Sequence, residues 1–440
     1  MARPKKETNN AIEEISMSID DMINSLSNDT DFVVADTGSL MSSRMKVSTP
    51  LYVINCIYGG GLPLGVMTEI SGPPSSGKST FSYQCLGNYQ REYPDGIPII
   101  YDMEASMDAP RLKVLGINPK KVLRRRADTI DKAFASMFKS LNEIVEFRKK
   151  NPNVTTFQIY DSLSSGGTDK QHEKVESGES AFNAGSMMEA PRIIKQNLSN
   201  VMPFFEQVPM FLGLINQVFM QGIGTYVPKA ESGGGFGLKH LCHAHIKFNK
   251  GQEIYENGFL IGNLSTVNLE KSKLSPKFIN IPCYIDATAG GRIDEVESFV
   301  RYLTDSTVGL IQTGAWYNMN SLIDSMSARY PQLIDKNSSD MDVVAPLKEY
   351  KKNFRKADLF NAIKGDKDLL NFLQIALIDF IDNIYPMQRD VNDGYQKKLM
   401  SECLYFNYNN ENVEIAVDES INTVSDSDEF DDNDNDNDDE

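Results

Sequence analysis

The stretch Gly72-Pro73-Pro74-Ser75-Ser76-Gly77-Lys78-Ser79 fits GxxxxGK[ST], a spacing suited to gripping a triphosphate. Glycines let backbone N–H groups curl around phosphate oxygens, Lys78 can reach the β and γ oxygens, and Ser79 offers a hydroxyl to Mg²⁺. Thr80 is a further candidate phosphate contact. A lysine set directly before two hydroxyls has no packing purpose. A second chemical position is Asp161, delivered by the mostly apolar run in TTFQIYDSLSS and placed as a Walker B aspartate would be, to hold the Mg²⁺ shell. Glu104, 26 residues after Lys78 at the end of IPIIYDME, is the candidate general base that orients and deprotonates an attacking water. Asp102 is the competing carboxylate.

Carboxylates and a phosphate loop meet only if strands end together, and the apolar pattern supplies such strands. Buried-strand runs are expected at Val66–Ser71, Ile97–Tyr101, Thr155–Tyr160, Met210–Ile215, His243–Phe248 and Ser265–Leu269, with helices over 78–92, 129–149 and 186–207. Continuously apolar strands joined by helices predict an α/β fold with a mostly parallel, doubly wound sheet, and ligands gather at the carboxyl edge of such sheets. Upstream, residues 10–27 carry Ile12, Ile15, Ile19, Met22, Ile23 and Leu26 at helical spacing. That amphipathic helix can dock on its own core or on a neighbouring protomer. The expected organisation is an N-terminal helical segment over 1–50, an ATPase-like core over 51–320, a mostly helical region over 321–424 and an acidic tail over 425–440.

The chain has 440 residues and a formal net charge of −17, of which ten acidic side chains fall in 425–440. That tail is low in complexity and self-repelling, so disorder is expected there. Overall acidity gives no bulk electrostatic case for nucleic-acid binding, so any such contact must come from local groups. No apolar stretch approaches the 18–20 residues of a membrane span, and no h-region follows the basic start MARPKKETNN, which points to a soluble cytoplasmic protein. Five scattered cysteines without CxxC spacing argue against a disulfide framework or zinc ribbon. HLCHAH (240–245) gathers three histidines, but no carboxylate or cysteine at ligand spacing completes a metal set, and strand histidines suffice.

The phosphate loop, Glu104 and Asp161, in this order, resemble the RecA family over roughly 45–320, with the nearest likeness to the UvsX-type strand-exchange proteins of T4-like bacteriophages. GGGLPLG (59–65) is similar to the family's glycine-rich lead-in, and YDMEASMD (101–108) to the segment carrying its catalytic glutamate. LINQV (214–218) resembles the strand whose glutamine senses the γ-phosphate, which falls on Gln217. NLEKSKLSP (268–276) resembles the paired-lysine element that reaches a neighbour's ATP, giving Lys271 and Lys273. On a strand, such an i, i+2 pair would share one face. Arg111 stands where bacterial members stack a tyrosine on adenine, and a guanidinium can stack on a base; an exposed helix arginine is the other reading. GAWYN (314–318) is also family-like, with Trp316 read as a packing anchor.

The resemblance implies an ATP- and Mg²⁺-dependent DNA recombinase that assembles as a helical filament on single-stranded DNA and pairs it with homologous duplex, aided by single-strand-binding and mediator proteins. Two glycine-bearing connections, 164–186 and 219–237, would be the DNA loops. Phe219 and Tyr226 are candidate wedges, and Arg192 and Lys195 on the following helix are candidate phosphate contacts. A hexameric RecA-fold helicase and a nucleotide-gated DNA-binding adaptor are the rival readings.

Overall fold

The computed structural model describes residues 45–58, 60–105, 107–178, 189–221, 229–232, 235–273, 277–305, 310–329 and 352–384. The expected helix over 10–27, Tyr226, the side chain of Phe219, residues 385–424 and the acidic tail lie outside the described residues.

Helix α1 (Tyr52–Tyr58) precedes β1 (Val66–Gly72), the phosphate loop and α2 (Lys78–Glu92). The chain then runs through β2 (Ile97–Asp102), α3 (Ala109–Val114), β3 (Leu123–Arg126), α4 (Ile130–Arg148), β4 (Thr156–Asp161), α5 (Asp169–Glu176), α6 (Glu189–Val201) and β5 (Met210–Gln221). After these come β6 (Lys229–Ser232), α7 (Gly235–Leu241), β7 (Ala244–Glu256), β8 (Phe259–Ser272), β9 (Phe278–Asp286), β10 (Arg292–Ile293) and α8 (Glu295–Asp305). Three helices close the described chain: α9 (Asn320–Arg329), α10 (Lys356–Gly365) and α11 (Lys367–Ile384).

Ten strands form one sheet in the order β10-β9-β8-β7-β1-β5-β4-β2-β3, with β6 paired to β5. The six from β7 to β3 are parallel, and β8, β9 and β10 add antiparallel neighbours. Both faces are covered because the strands are apolar on both. On one face α4 lays Ile130, Phe134, Met137, Leu141 and Ile144 onto the sheet at helical spacing, and the Phe134 ring stacks on Tyr160 at 5.4 Å. On the other, α2 sets Tyr89 5.2 Å from Phe157 and Phe81 5.5 Å from Phe248. Alternation along β4 therefore turns Phe157 and Asp161 toward α2 and Tyr160 toward α4. The mostly parallel, helix-covered sheet is the architecture the apolar runs predicted.

Several parts of the sheet differ from the sequence expectation: β6, β9 and β10 were not expected, and β5 runs past Ile215 to Gln221. Strand β3, LRRR, is exposed at all four positions and forms the edge beside β2, so no buried run marks it. Strands β7 and β8 extend to 13 and 14 residues, well past the expected His243–Phe248 and Ser265–Leu269. The outer half of β7 and the first two residues of β8 are mostly exposed, and the turn uses Asn257 and Gly258, both at positive φ (50° and 83°), as a two-residue hairpin requires. Trp316, expected as a packing anchor, is 43% exposed and lies 5.0 Å beneath the Arg355 guanidinium instead. Beyond the sheet, α10 packs on α8, and α11 packs on α1 and α10.

Candidate nucleotide site

The carboxyl ends of β1, β2, β4 and β5 lie side by side, and each brings one candidate group. Gly72, the last residue of β1, pairs with Gln217 of β5 in register, while Asp102 of β2 pairs with Asp161 of β4. Register therefore gathers the phosphate loop, the glutamine and the aspartate at one edge without long-range luck.

The loop itself needs its glycines. Gly77 caps α2 at φ 100°, and a Cβ there would meet Ile285 Cδ1 at 2.7 Å. At Gly72 a Cβ would strike the Phe248 carbonyl oxygen at 2.5 Å and Ser76 Oγ at 2.9 Å. Helix α2 thus starts at Lys78 with its first N–H groups directed into the loop, a ready anion site. Ser76 is fully buried and its hydroxyl has no hydrogen-bond partner among the described residues, an orphan that a phosphate oxygen would satisfy. The amine of the buried Lys78 donates to the Pro73 carbonyl at 2.7 Å. Burial lowers the affinity of that amine for its proton, and the charges of Asp161 and Glu104 pull it back up. Pro74 and Ser75 complete the loop, Ser75 at φ 59°.

Asp161 is 2% exposed, accepts from Tyr83 Oη at 3.1 Å and is hydrogen-bonded by Ser79. Burial, then the Glu104 charge, push its carboxyl up to about 6. Ser79 beside a nearly buried carboxylate is a fitting Mg²⁺ pair, since a divalent ion would remove the repulsion that raises it. Among the described residues no group of three or more His, Cys, Asp or Glu side chains could hold a metal alone. Mg²⁺ here would need nucleotide oxygens to fill its shell.

Glu104 lies just past β2, exposed at the edge. Three donors converge on its Oε1: Ser162 Oγ at 2.6 Å, Ser165 Oγ at 2.9 Å and Gln217 Nε2 at 3.3 Å. Asp102 is taken out of contention, since it is fully buried and ion-paired with Arg124, Nε to Oδ2 2.9 Å. Sequence reasoning missed Ser162, Ser165 and Tyr83; their only local signal was the SLSS run directly after Asp161.

Arg111 does not lie free on α3. Its guanidinium donates to the carbonyls of Gly290 and Gly291, the latter at 3.2 Å, and to Thr80 Oγ1 at 3.3 Å. It therefore sits beside the first turn of α2, within hydrogen-bond reach of Thr80.

The lysine pair lies elsewhere. Lys271 of β8 is level with His245 of β7 and hence with Glu69 of β1, and Lys273 hydrogen-bonds through its backbone to His243, level with Met67. Gly72 lies three residues beyond Glu69 and five beyond Met67 along β1, about 10 and 17 Å at the strand rise. Lys271 thus lies level with the middle of β1 and Lys273 with its amino end, both on the amino-terminal side of the phosphate loop. The regular strand expected to carry both ends at Ser272, with a bulge between Leu269 and Lys271. Lys271 Nζ donates to the carbonyls of Lys239 and, at 3.0 Å, Cys242, at the end of α7, while Lys273 is exposed.

Arg192 and Lys195 are exposed on α6, where Lys195 runs along Gly237. The first of the two long connections is not wholly irregular. Thr168 and Gln171 form a capping box that starts α5, and Lys170 on it pairs with Glu189 at 3.1 Å. His243 and His245, considered for metal, instead accept from Met67 N–H at 3.4 Å and pair with Glu69 at 2.6 Å. No described helix is long and apolar enough to cross a membrane.

Comparison with known proteins agrees with this geometry. A family model described as the RecA N-terminal domain matches residues 34–290. Protein RecA of Desulforapulum autotrophicum is 27% identical over 260 residues, covering 59% of this chain and 69% of the relative. Protein RecA of Ureaplasma parvum serovar 3 is 26% identical over 276 residues, 62% of this chain and 76% of the relative. Protein RecA of Nostoc sp. is 27% identical over 283 residues, 63% and 73% of the two chains. With more than half its length matched by the family model, and with the phosphate loop, Asp161, Glu104 and Gln217 all inside that match, the chain belongs to the RecA family.

Proposed function

We propose that this protein is an ATP-dependent recombinase of the UvsX type found in T4-like bacteriophages, which forms a helical filament on single-stranded DNA and promotes pairing and strand exchange with homologous duplex. The observation that carries this reading is the separation between the nucleotide edge and the lysine pair. Lys78, Ser79, Asp161, Glu104 and Gln217 gather at the carboxyl edge of the sheet, while Lys271 and Lys273 lie level with the middle and the amino end of β1. Cations so placed cannot serve their own triphosphate, but in a head-to-tail assembly they serve the next one.

In this reading Gly72 through Ser79 wrap the phosphates, Lys78 balances the β and γ charge, and Arg111 lies along the base. Bound Mg²⁺, held by Ser79 and Asp161, would neutralise charge on the phosphate oxygens. Glu104 takes the proton of the attacking water through Oε2, since its Oε1 is already engaged. Gln217 leaves Glu104 for the γ-phosphate and so reports nucleotide state to the connection that follows β5. DNA would lie along that connection, against Phe219 and Tyr226, with Arg192 and Lys195 on its phosphates. Single-strand-binding and mediator proteins are the expected partners.

The test is ATP hydrolysis by the purified full chain with and without single-stranded DNA, followed by electron microscopy of the ATP-bound complex. Strong stimulation and helical filaments are expected. Six-membered rings would indicate a helicase, and nucleotide-gated DNA binding with negligible hydrolysis an adaptor.

A further inference from the structure

A line of buried polar groups crosses the apolar sheet from the sensing edge to the lysine pair. Asn216, next to Gln217 on β5, donates from Nδ2 to Glu69 Oε1 at 2.8 Å. Glu69 Oε2 lies 2.6 Å from His245 Nδ1 on β7, and His245 Nε2 lies 3.2 Å from the Lys239 carbonyl oxygen. The Lys271 amine donates to that same carbonyl and to Cys242 O at 3.0 Å. Asn216, Glu69 and His245 are 0%, 1% and 6% exposed, on strands whose neighbours Met67, Leu214 and Cys242 belong to the apolar core.

An acid buried at the centre of a parallel sheet is costly, and an apolar pair of equal volume would hold the strands at least as well. Its retention in an unbroken chain of contacts needs another reason, and the two ends of the chain supply one. At one end Asn216 is joined to Gln217 by a peptide bond, so any backbone shift at the sensor reaches it directly. At the other, the Lys239 carbonyl is where Lys271 is held.

We propose that Glu69 and His245 are positioning residues which transmit the state of the γ-phosphate sensor across the sheet to Lys271, so that the lysine is presented to a neighbouring protomer only when nucleoside triphosphate is bound. This rests on the shared-site reading above. It gives the sensor a second output, separate from the connection after β5. Each ring nitrogen of His245 faces an oxygen, of Glu69 and of the Lys239 carbonyl, so the linkage needs a side chain that reaches both sides. Glutamine supplies donors on only one side, whereas arginine supplies them on both.

The probe is the ratio of dissociation constants for a fluorescein-labelled oligo-dT with ADP and with the non-hydrolysable analogue adenylyl imidodiphosphate, measured by anisotropy on the full chain. His245→Gln should reduce this ratio by about tenfold, a usual size for coupling between sites. The affinity for a fluorescent ADP without DNA should stay within about twofold, as expected for a site whose own contacts are untouched. His245→Arg should restore the ratio, and adding His245→Gln to Lys271→Ala should reduce it no further than Lys271→Ala does alone. The inference is overturned if His245→Gln weakens both constants in proportion and leaves the ratio intact, as a purely structural loss would. Failure of a folded His245→Arg protein to recover the ratio also overturns it. A Lys271→Ala protein with normal ATP-dependent assembly removes the shared-site reading and this inference together, whereas a defective Lys271→Ala beside a normal His245→Gln removes only the inference.

Discussion

Gln217 and Glu104, 113 residues apart in the chain, meet at the sheet edge, with Gln217 Nε2 donating to Glu104 Oε1 at 3.3 Å. One oxygen thus accepts from the glutamine and from Ser162 and Ser165, and Oε2 has no hydrogen bond among the described residues. In the proposed mechanism this arrangement would divide two tasks of the carboxylate, with Oε1 tied to the sensor and Oε2 left for water.

Replacing that carboxylate with its amide should therefore stop chemistry and spare binding. Glu104→Gln is expected to lower kcat by about 10²- to 10⁴-fold, the usual contribution of a general base, with filaments still forming on ATP. Steady-state hydrolysis and micrographs of the same preparation check both halves.

Arg111 is expected to behave as a planar clamp rather than a point charge. It donates to Thr80 and to the carbonyls of Gly290 and Gly291, a geometry that an ammonium cannot reproduce. Arg111→Ala and Arg111→Lys should both weaken nucleotide affinity by about tenfold, equivalent to roughly 1.4 kcal/mol. Equilibrium titration with a fluorescent ADP measures it, and full rescue by lysine would contradict the clamp.

The fold and the nucleotide edge were largely legible in the sequence, because both rest on local signals. Apolar runs mark buried parallel strands, and GPPSSGKS has few uses besides phosphate. The polar line through Asn216, Glu69 and His245 left no such mark. A single Glu inside VMTEIS looks like a lapse in a strand pattern until β7 brings His245 opposite it. Strand β3 was missed because an exposed edge strand carries no buried face, and the anchoring of Arg111 because its partners lie about 180 residues away in the chain. The lysine pair was singled out by resemblance, but the tie of Lys271 to the end of α7 is a property of the fold alone.

Stability should fall as pH rises through neutrality, owing in part to Glu92. Burial raises its carboxyl to about 7 despite hydrogen bonds from Ser48 N–H and Oγ. A carboxyl raised on folding binds its proton more tightly in the native state, so its contribution is complete below about pH 4.5 and is lost as pH climbs to 7. Glu92→Gln should be more stable than the parent at pH 8 by about 1–3 kcal/mol, with the difference vanishing near pH 5. Urea titrations at the two pH values read this directly. Greater stability of the parent at pH 8 would reverse the sign.

For DNA, the exposed cations on α6 should act through phosphates alone. Arg192→Ala and Lys195→Ala are each expected to reduce the slope of log affinity against log salt by about 0.7 on single strands, without changing base preference. Anisotropy on oligo-dT and a mixed-sequence oligomer over a salt series checks this.

The shared nucleotide site is the centre of the account, and mixing two defective proteins tests it most directly. Lys78→Ala lacks the loop lysine, Lys271→Ala lacks the lysine offered to a neighbour, and each alone should hydrolyse little ATP on single-stranded DNA. In an equal mixture about a quarter of the seams join an intact loop to an intact Lys271 by random head-to-tail assembly, so substantial hydrolysis should return. If the mixture stays as inactive as its components, or if Lys271→Ala is fully active alone, the triphosphate site is contained within one chain and the account is wrong.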